Sequence, residues 1–344
     1  MTTLDDHPAE WQPAQFGVRS ADRIRCELCP HLCELAAGQT GVCHLRRNRA
    51  DILETAVVGT AVRHYGPIER KPLYHFRPGL DILTLAAPGC TFACAYCQNY
   101  RLSQFGREPA AFWRLETFDI DETVAAAHAR GAGIAFSYSE PALAAELTIE
   151  LAARAQPLGV PLVWKTNGFL TARAVDRLGP CLAAVNIDIK ASDERRHRAL
   201  TGASLAPIWE TLERFRGLGV WVEVSTPLIP RISHTDEALS AIASRISHIS
   251  PDIPWHILRF NPEFRMPNYL PSSTAALEKA RTIGLDMGLR HVYVERALGA
   301  TGRSTSCPTC GEVVIIRDIW AVSDMRLQEG RCAACGSSIA GVWA

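Results

Sequence analysis

The stretch APGCTFACAYCQNY, residues 87–100, places Cys90, Cys94 and Cys97 within eight residues, directly after the apolar run LDILTLAA. A structural zinc site or a disulfide framework uses an even, closed set of sulfurs. Three thiols on one short loop instead suit a metal centre that keeps a coordination position open, and soft, charged thiolate matches the iron of an iron–sulfur cluster. The competing account is a zinc knuckle that borrows a fourth ligand such as His75. Eight of the remaining nine cysteines fall into two sets of four. Cys307, Cys310, Cys332 and Cys335 form two C-x2-C pairs separated by 21 residues, the spacing of a zinc ribbon with a closed tetrahedral sulfur site. Cys26, Cys29, Cys33 and Cys43 are open between zinc, with His31 and His44 as spare ligands, and an auxiliary iron–sulfur cluster. The nine-residue gap with its Gly-rich turn favours zinc. Cys181 stands alone before LAAVNIDI and reads as a small buried hydrophobe.

The rest of the composition narrows the function classes. Thirty-six basic residues balance thirty-six acidic ones, so no global field draws in nucleic acid or an anionic membrane. No apolar run reaches the roughly 18–20 residues of a membrane span, and the polar start MTTLDDHPAEWQ has no export signal. Twelve cysteines in a cytoplasmic chain point to metal rather than disulfides, because cytosolic reductants keep thiols reduced.

Elements must position these sulfurs. At 344 residues and 47% hydrophobic, the chain can build one large α/β domain with small appendages. Residues 1–25 are polar and aperiodic, which predicts a loosely held leader. Residues 26–79 hold the first cysteine set, then a strand pair and a turn-rich loop, GPIERKPLYHFRPG. From 80 to 299, short apolar runs at 82–88, 133–139, 161–167, 182–190, 220–227, 254–260 and 291–295 alternate with amphipathic segments. That rhythm predicts a partial (β/α)6-type barrel around a parallel sheet. Helix starts are marked by Asp121, Pro141, Ser272 and Ser273. Residues 300–344 form a separate ribbon-like module around the run VVIIRDIW.

In parallel barrels the chemistry gathers at the carboxyl ends of the strands. Those ends carry Ser137, Ser139 and Glu140; Lys165 and Asn167; Asp188 and Lys190; Glu223 and Ser225; and His256, with Arg259 and Asn261 beyond. Glu140 before Pro141 also suits a plain helix start. Asp188 and Lys190, two apart, share a face, where an unpaired inward charge would be costly.

Cys90-x3-Cys94-x2-Cys97 after the first barrel strand resembles the radical S-adenosylmethionine (SAM) superfamily. The resemblance implies a 4Fe-4S cluster on the three cysteines whose free iron chelates SAM. It also implies reductive cleavage to a 5′-deoxyadenosyl radical that abstracts hydrogen from a substrate, and a reductant such as flavodoxin or ferredoxin. It places Tyr96 on the adenine, Glu140 on the SAM ammonium, and Ser139, Asn167, Asp188, Lys190, Ser225 and His256 around the rest of SAM. In the similar glycyl-radical-enzyme activating enzymes an acidic residue precedes TNG. Here Lys165 stands there, so its ammonium either takes the place of a bound monovalent cation near Asp188 or turns outward to water.

CxLCPHxC, GxxGxCxxR, GPIERKPLYHFRPG, SYSEP, WHILRFNP and CPTCG…CAACG…GVW together resemble AmmeMemoRadiSam system radical SAM enzymes, relatives of the pyruvate formate-lyase activating enzyme. This implies association with Memo-like and AMMECR-like proteins. Asn261 after RF, where histidine is expected, and YVERALG for YVGN depart from that pattern. Activation of a glycyl-radical enzyme and modification of RNA are the alternative activities.

Overall fold

The computed structural model describes residues 11–108, 115–294 and 298–344. Residues 1–10 of the expected leader and Glu295–Ala297 of YVERALG lie outside them. Seven parallel strands follow one another in chain order: Asp81–Leu85, Gly133–Phe136, Leu162–Thr166, Ala184–Asp188, Trp221–Pro227, Trp255–Leu258 and Val292–Val294. Arg63–Pro67 adds an antiparallel strand beside the first, and the eight form one sheet. The end strands Arg63–Pro67 and Val292–Val294 are not paired with each other, so the sheet is an arc, a barrel left partly open.

Register explains how these strands become both core and site. Along each strand, large apolar residues alternate with small or polar ones. Leu83, Ile134, Trp164, Val185, Val224 and Trp255 join the main core between sheet and helices. The alternate positions line the inside of the arc. There Lys165, Asn186 and Glu223 lie side by side in register, and so do Asp188, Ser225, His256 and Tyr293. Helices such as Ile120–Ala129, Ala172–Leu178, Asp236–Ile249 and Thr274–Asp286 cover the outside. Their starts are set by side-chain oxygens: Asp119, Thr171, Thr235 and Ser273 each accept an N–H from three residues on. Asp121 therefore lies inside a first turn whose cap is Asp119. Ser272 is no cap either; its hydroxyl accepts from Phe260 N at 2.9 Å and donates to Leu228 O at 2.9 Å.

The loop 68–80 plugs the arc. Ile68, Leu73 and Phe76 pack against the inward residues Ile82, Ala135, Val163 and Ala184. Tyr74 N and His75 N donate to the Glu223 carboxylate at 3.0 and 2.7 Å, and Asn186 Nδ2 donates to Pro72 O at 2.6 Å. The carboxyl module grips the plug from the other side. Arg317 donates from Nη2 to Tyr74 O at 2.6 Å and from Nη1 to Thr305 Oγ1 at 2.8 Å, with Glu69 at 3.7 Å from its Nε. Val342 N and Arg77 N exchange backbone hydrogen bonds with His75 O and Val342 O. Within the plug, Lys71 is buried, its Nζ 4.6 Å from the centre of the Tyr138 ring.

Two expectations are corrected. Residues 11–25 do not form a loose leader: Gln12–Pro13, Gly17–Ser20 and Arg23–Cys26 are strands. Gln12–Pro13 pairs with Ile52–Thr55 and Gly17–Ser20 with Arg23–Cys26, and between them the buried Arg46 donates to Gln15 O at 2.9 Å and to both Glu146 oxygens, a contact that composition does not reveal. The strands in 51–79 are not a mutual pair. Ile52–Thr55 pairs with Arg46–Arg49 and Gln12–Pro13, whereas Arg63–Pro67 joins the barrel sheet.

Removing one partner of a buried charged network leaves the others unsatisfied. Arg317→Ala should therefore lower the unfolding free energy by about 3–5 kcal/mol in denaturant titration, whereas alanine at exposed Arg331 should change it by less than about 0.5 kcal/mol. Burial, then the neighbouring Arg70, pulls Lys71 down to about 7, against about 10.4 in an unfolded chain. Below pH 7 the folded state carries the whole cost of the buried charge. Between pH 7 and about 10 the unfolded chain binds the extra proton, so stability should rise by up to about 1.4 kcal/mol per pH unit. Subtracting the curve of Lys71→Met from that of the wild type should isolate this slope.

Candidate functional site

Strand Asp81–Leu85 delivers the cysteine loop. Gly89 turns it at φ 81°, and a side chain there would meet Leu45 Cδ1 at 2.3 Å, so both the backbone and the close approach demand glycine. Backbone hydrogen bonds from Gly89 N to Leu102 O (2.9 Å), Ala93 N to Thr201 O (2.8 Å) and Ala95 N to Leu200 O (3.1 Å) sew the loop to its surroundings. The Arg107 guanidinium donates to the carbonyls of Val42, Cys90 and Phe92 at 2.6, 2.8 and 2.7 Å. A loop held at so many points keeps its sulfurs in a fixed arrangement.

Donors converge on those sulfurs. Phe92 N lies 3.3 Å from Cys90 Sγ, Asn167 Nδ2 lies 3.6 Å from it, and the Ser103 hydroxyl lies 3.0 Å from Cys97 Sγ. Burial pushes the Cys94 thiol up to about 12 and Cys90 higher still. Thiols so reluctant to ionise lose their protons to a metal rather than to water. Sulfurs sharing one zinc sit about 2.3 Å from it and hence about 3.8 Å apart. Among the described residues, only the carboxyl-terminal quartet has three or more such donor atoms all within 4.8 Å of one another. The Cys90, Cys94 and Cys97 sulfurs do not all meet that limit, so they are not drawn together around a single shared ion. His75 is no fourth ligand: its Nδ1 pairs with Ala340 O at 2.7 Å and its Nε2 with Tyr293 OH at 2.6 Å.

Beside the sulfurs lies a cavity of about 370 Å³ whose walls include all three cysteines, Tyr96, Ser139, Glu140, Asn167, Asp188 and Lys190. Lys190 Nζ binds Asp188 Oδ2 at 2.6 Å and lies 5.8 Å from the centre of the Tyr96 ring. Lys165 also lines the cavity, with its Nζ on Asp188 Oδ1 and, at 2.6 Å, on Asn186 Oδ1. It faces inward rather than snorkelling to water. Burial alone would raise the Asp188 carboxyl, but Lys165 and Lys190 together outweigh it and hold it low. Glu140 is committed internally: it accepts from Thr166 Oγ1 at 2.7 Å, Asn167 N at 2.9 Å and Ala142 N at 3.0 Å. The helix-start account thus describes its hydrogen bonds, and through Asn167 it also steers the donor that meets Cys90.

Two expected SAM contacts lie elsewhere. His256 is fully buried outside the cavity wall, with Nε2 on Glu223 Oε2 at 2.6 Å and its ring 4.7 Å from Tyr74. Ser225 is likewise outside the wall and gives its hydroxyl to Asn186 Oδ1 at 2.7 Å. Both sit one layer below the cavity, where they brace strand and plug. Sequence reasoning missed Asn186, Arg70, Pro72 and Tyr138. Asn186 was within reach, since it precedes Asp188 and Lys190 at the same two-residue interval. Tyr138, at φ 72°, lines the cavity while its hydroxyl meets His64 Nε2 at 2.9 Å; no periodicity announces such a backbone.

The outer cysteines divide by geometry. Cys307 and Cys335 sulfurs lie 3.6 Å apart and those of Cys310 and Cys332 3.7 Å apart, on the scale of a single tetrahedral ion. Cys26, Cys29, Cys33 and Cys43 instead bound a small cavity together with His31 and Arg46. His44 is not part of that wall.

Residues 85–244 match the radical SAM superfamily. An uncharacterized protein of Methanocaldococcus jannaschii is 31% identical over 92% of this chain and 95% of its own length. The isethionate sulfite-lyase activating enzyme of Desulfovibrio desulfuricans is 28% identical over 60% of this chain and 68% of its own. A second M. jannaschii protein, described as a candidate glycyl-radical enzyme activating enzyme, is 28% identical over 52% of this chain and 66% of its own. Among solved structures, Streptococcus suis SuiB bound to S-adenosylmethionine shares the fold at a TM-score of 0.51 and 11% identity, covering 70% of this chain and 56% of that one. The matched span, 85–244, takes in the cysteine loop and the strands around the cavity, and on these comparisons the chain belongs to the radical SAM superfamily and is homologous to glycyl-radical-enzyme activating enzymes.

Proposed function

We propose that this protein is an enzyme in which Cys90, Cys94 and Cys97 hold a 4Fe-4S cluster, SAM occupies the adjoining cavity, and hydrogen is abstracted from a partner polypeptide. The observation that carries it is the set of three cysteines opening onto one cavity with a half-buried Asp188 held between two lysines. When bound, cluster and SAM supply one-electron cleavage of the sulfonium to a 5′-deoxyadenosyl radical. The chain's own residues do the rest. Asn167 and Ser103 donate to the sulfurs, Lys190 and Lys165 offer positive charge to a carboxylate, Asp188 and the Glu140 edge offer acceptors to an ammonium, and Tyr96 and Phe260 supply apolar wall.

A polypeptide substrate is supported by relatives whose names describe activation of another enzyme. CxLCPHxC, GPIERKPLYHFRPG, SYSEP and WHILRFNP support assignment to the AmmeMemoRadiSam group, with Memo-like and AMMECR-like proteins as associates. In this reading a barrel at 80–299 is flanked by cysteine-bearing segments at 26–79 and 300–344. Zinc fills the Cys307, Cys310, Cys332 and Cys335 quartet, flavodoxin or ferredoxin delivers electrons, and the protein works in the reducing cytoplasm.

Anaerobic reconstitution with dithionite and SAM should yield 5′-deoxyadenosine, measured by liquid chromatography. Cys94→Ala should reduce that yield by at least about a thousandfold, roughly 4 kcal/mol in the barrier. A cluster whose paramagnetic spectrum is unchanged by SAM would discard the proposal. If Lys165 replaces a bound cation, Lys165→Ala should cleave SAM about tenfold faster with potassium than without it, roughly 1.4 kcal/mol of barrier regained. The wild type should be indifferent to potassium, and equal indifference in the variant would remove that role from Lys165.

A further inference from the structure

We propose that Cys26, Cys29, Cys33 and Cys43 hold a second, fully protein-ligated 4Fe-4S cluster against the loop that carries the first. Sequence spacing favoured zinc here, and the geometry points the other way. Within one structure, the carboxyl-terminal quartet draws its sulfurs together to 3.6 and 3.7 Å, whereas no three of the amino-terminal donors lie within 4.8 Å of one another. Cys26, Cys29, Cys33 and Cys43 bound a cavity of about 10 Å³. A tetrahedron with its sulfurs about 2.3 Å from its centre leaves no such space; the wider tetrahedron around a cubane does.

Three further observations suit an anionic sulfur cluster. Val42 N lies 3.4 Å from Cys33 Sγ, as Phe92 N lies 3.3 Å from Cys90 Sγ, and the backbone amides of Leu28, His31 and Leu45, each two residues on, work against the burial that raises the Cys26, Cys29 and Cys43 thiols. Such N–H···S bonds stabilise cluster thiolates. Arg46 is buried beside Cys26 and Cys43, and its Nε has no hydrogen-bond partner. A buried donor of that kind asks for an acceptor, which cluster sulfur supplies. The site also abuts the other cysteine loop: one Arg107 nitrogen, Nη2, touches the carbonyls of both Val42 and Cys90 at 2.6 and 2.8 Å, and His31 Nε2 lies 2.8 Å from Thr91 O.

The test uses the full chain, iron-loaded without oxygen, with Cys90, Cys94 and Cys97 all changed to alanine. Iron and sulfide should remain at about four each per chain, with a reduced-state paramagnetic signal that SAM does not alter. Adding Cys29→Ser and Cys43→Ser should remove that iron. Four irons in the triple variant support the proposal even if the five-fold variant fails to fold. No iron there overturns it, and so does iron that survives the two serines in a folded protein. The outcome is separate from the reading of Cys90, Cys94 and Cys97: a wild type whose signal ignores SAM, with four irons left in the triple variant, would sink that reading and leave this one standing.

Discussion

A carboxylate with no exposure to solvent sits at the centre of this molecule. Glu223 points into the open barrel and accepts four N–H groups: Tyr74 N, His75 N, Trp221 Nε1 at 3.0 Å and His256 Nε2. Burying an ionised carboxyl costs several kcal/mol unless its lone pairs are met. Meeting them ties together the plug, the strand that bears Glu223 and the strand beside it. From there the constraint reaches the cavity, because Pro72 of the plug accepts from Asn186, and Asn186 accepts from Lys165 and Ser225. Asp188 is thereby held in place from below as well as from its own strand.

The interior is layered by polarity. Ile82, Ala135, Val163 and Ala184 meet the apolar face of the plug, and Asn186, Glu223, Ser225 and His256 form a polar tier above it. Higher still come Asp188, Lys190 and the sulfurs. The polar tier bonds mostly within itself and to the plug, His256 Nδ1 being left without a partner, and the groups above it line the cavity. His256 illustrates the distinction. Its burial lowers its basicity, while its bond to Glu223 works against that, and its task is to hold the tier together.

Much of this was legible in the chain. Alternating apolar runs and helical patterns revealed the parallel strands, because each strand must face helices on one side and a filled interior on the other. Cysteine spacing marked the open site, and the two-residue interval from Asp188 to Lys190 put both on one face. What stayed hidden depends on contacts between distant segments. Ser225 and His256 read as ligand contacts because nothing local shows that they would bond to Asn186 and Glu223 instead. The strands at 12–26 escaped notice since Arg46 and Glu146, a hundred residues apart, anchor them. Likewise, spacing alone could not tell zinc from a larger cluster at the amino-terminal cysteines, because the distance between sulfurs is set by tertiary packing.

The grip of the carboxyl module on the plug sets an order of events at the ribosome. Arg317 and Tyr74 are 243 residues apart, and His75 and Ala340 are 265 apart. Contacts so remote in sequence form late and slowly, since a long loop must close before they reward it. The nascent barrel emerges with its floor unfastened and stays so until residue 342 has been made. Until that clasp forms, the interior beneath the plug is still open to water.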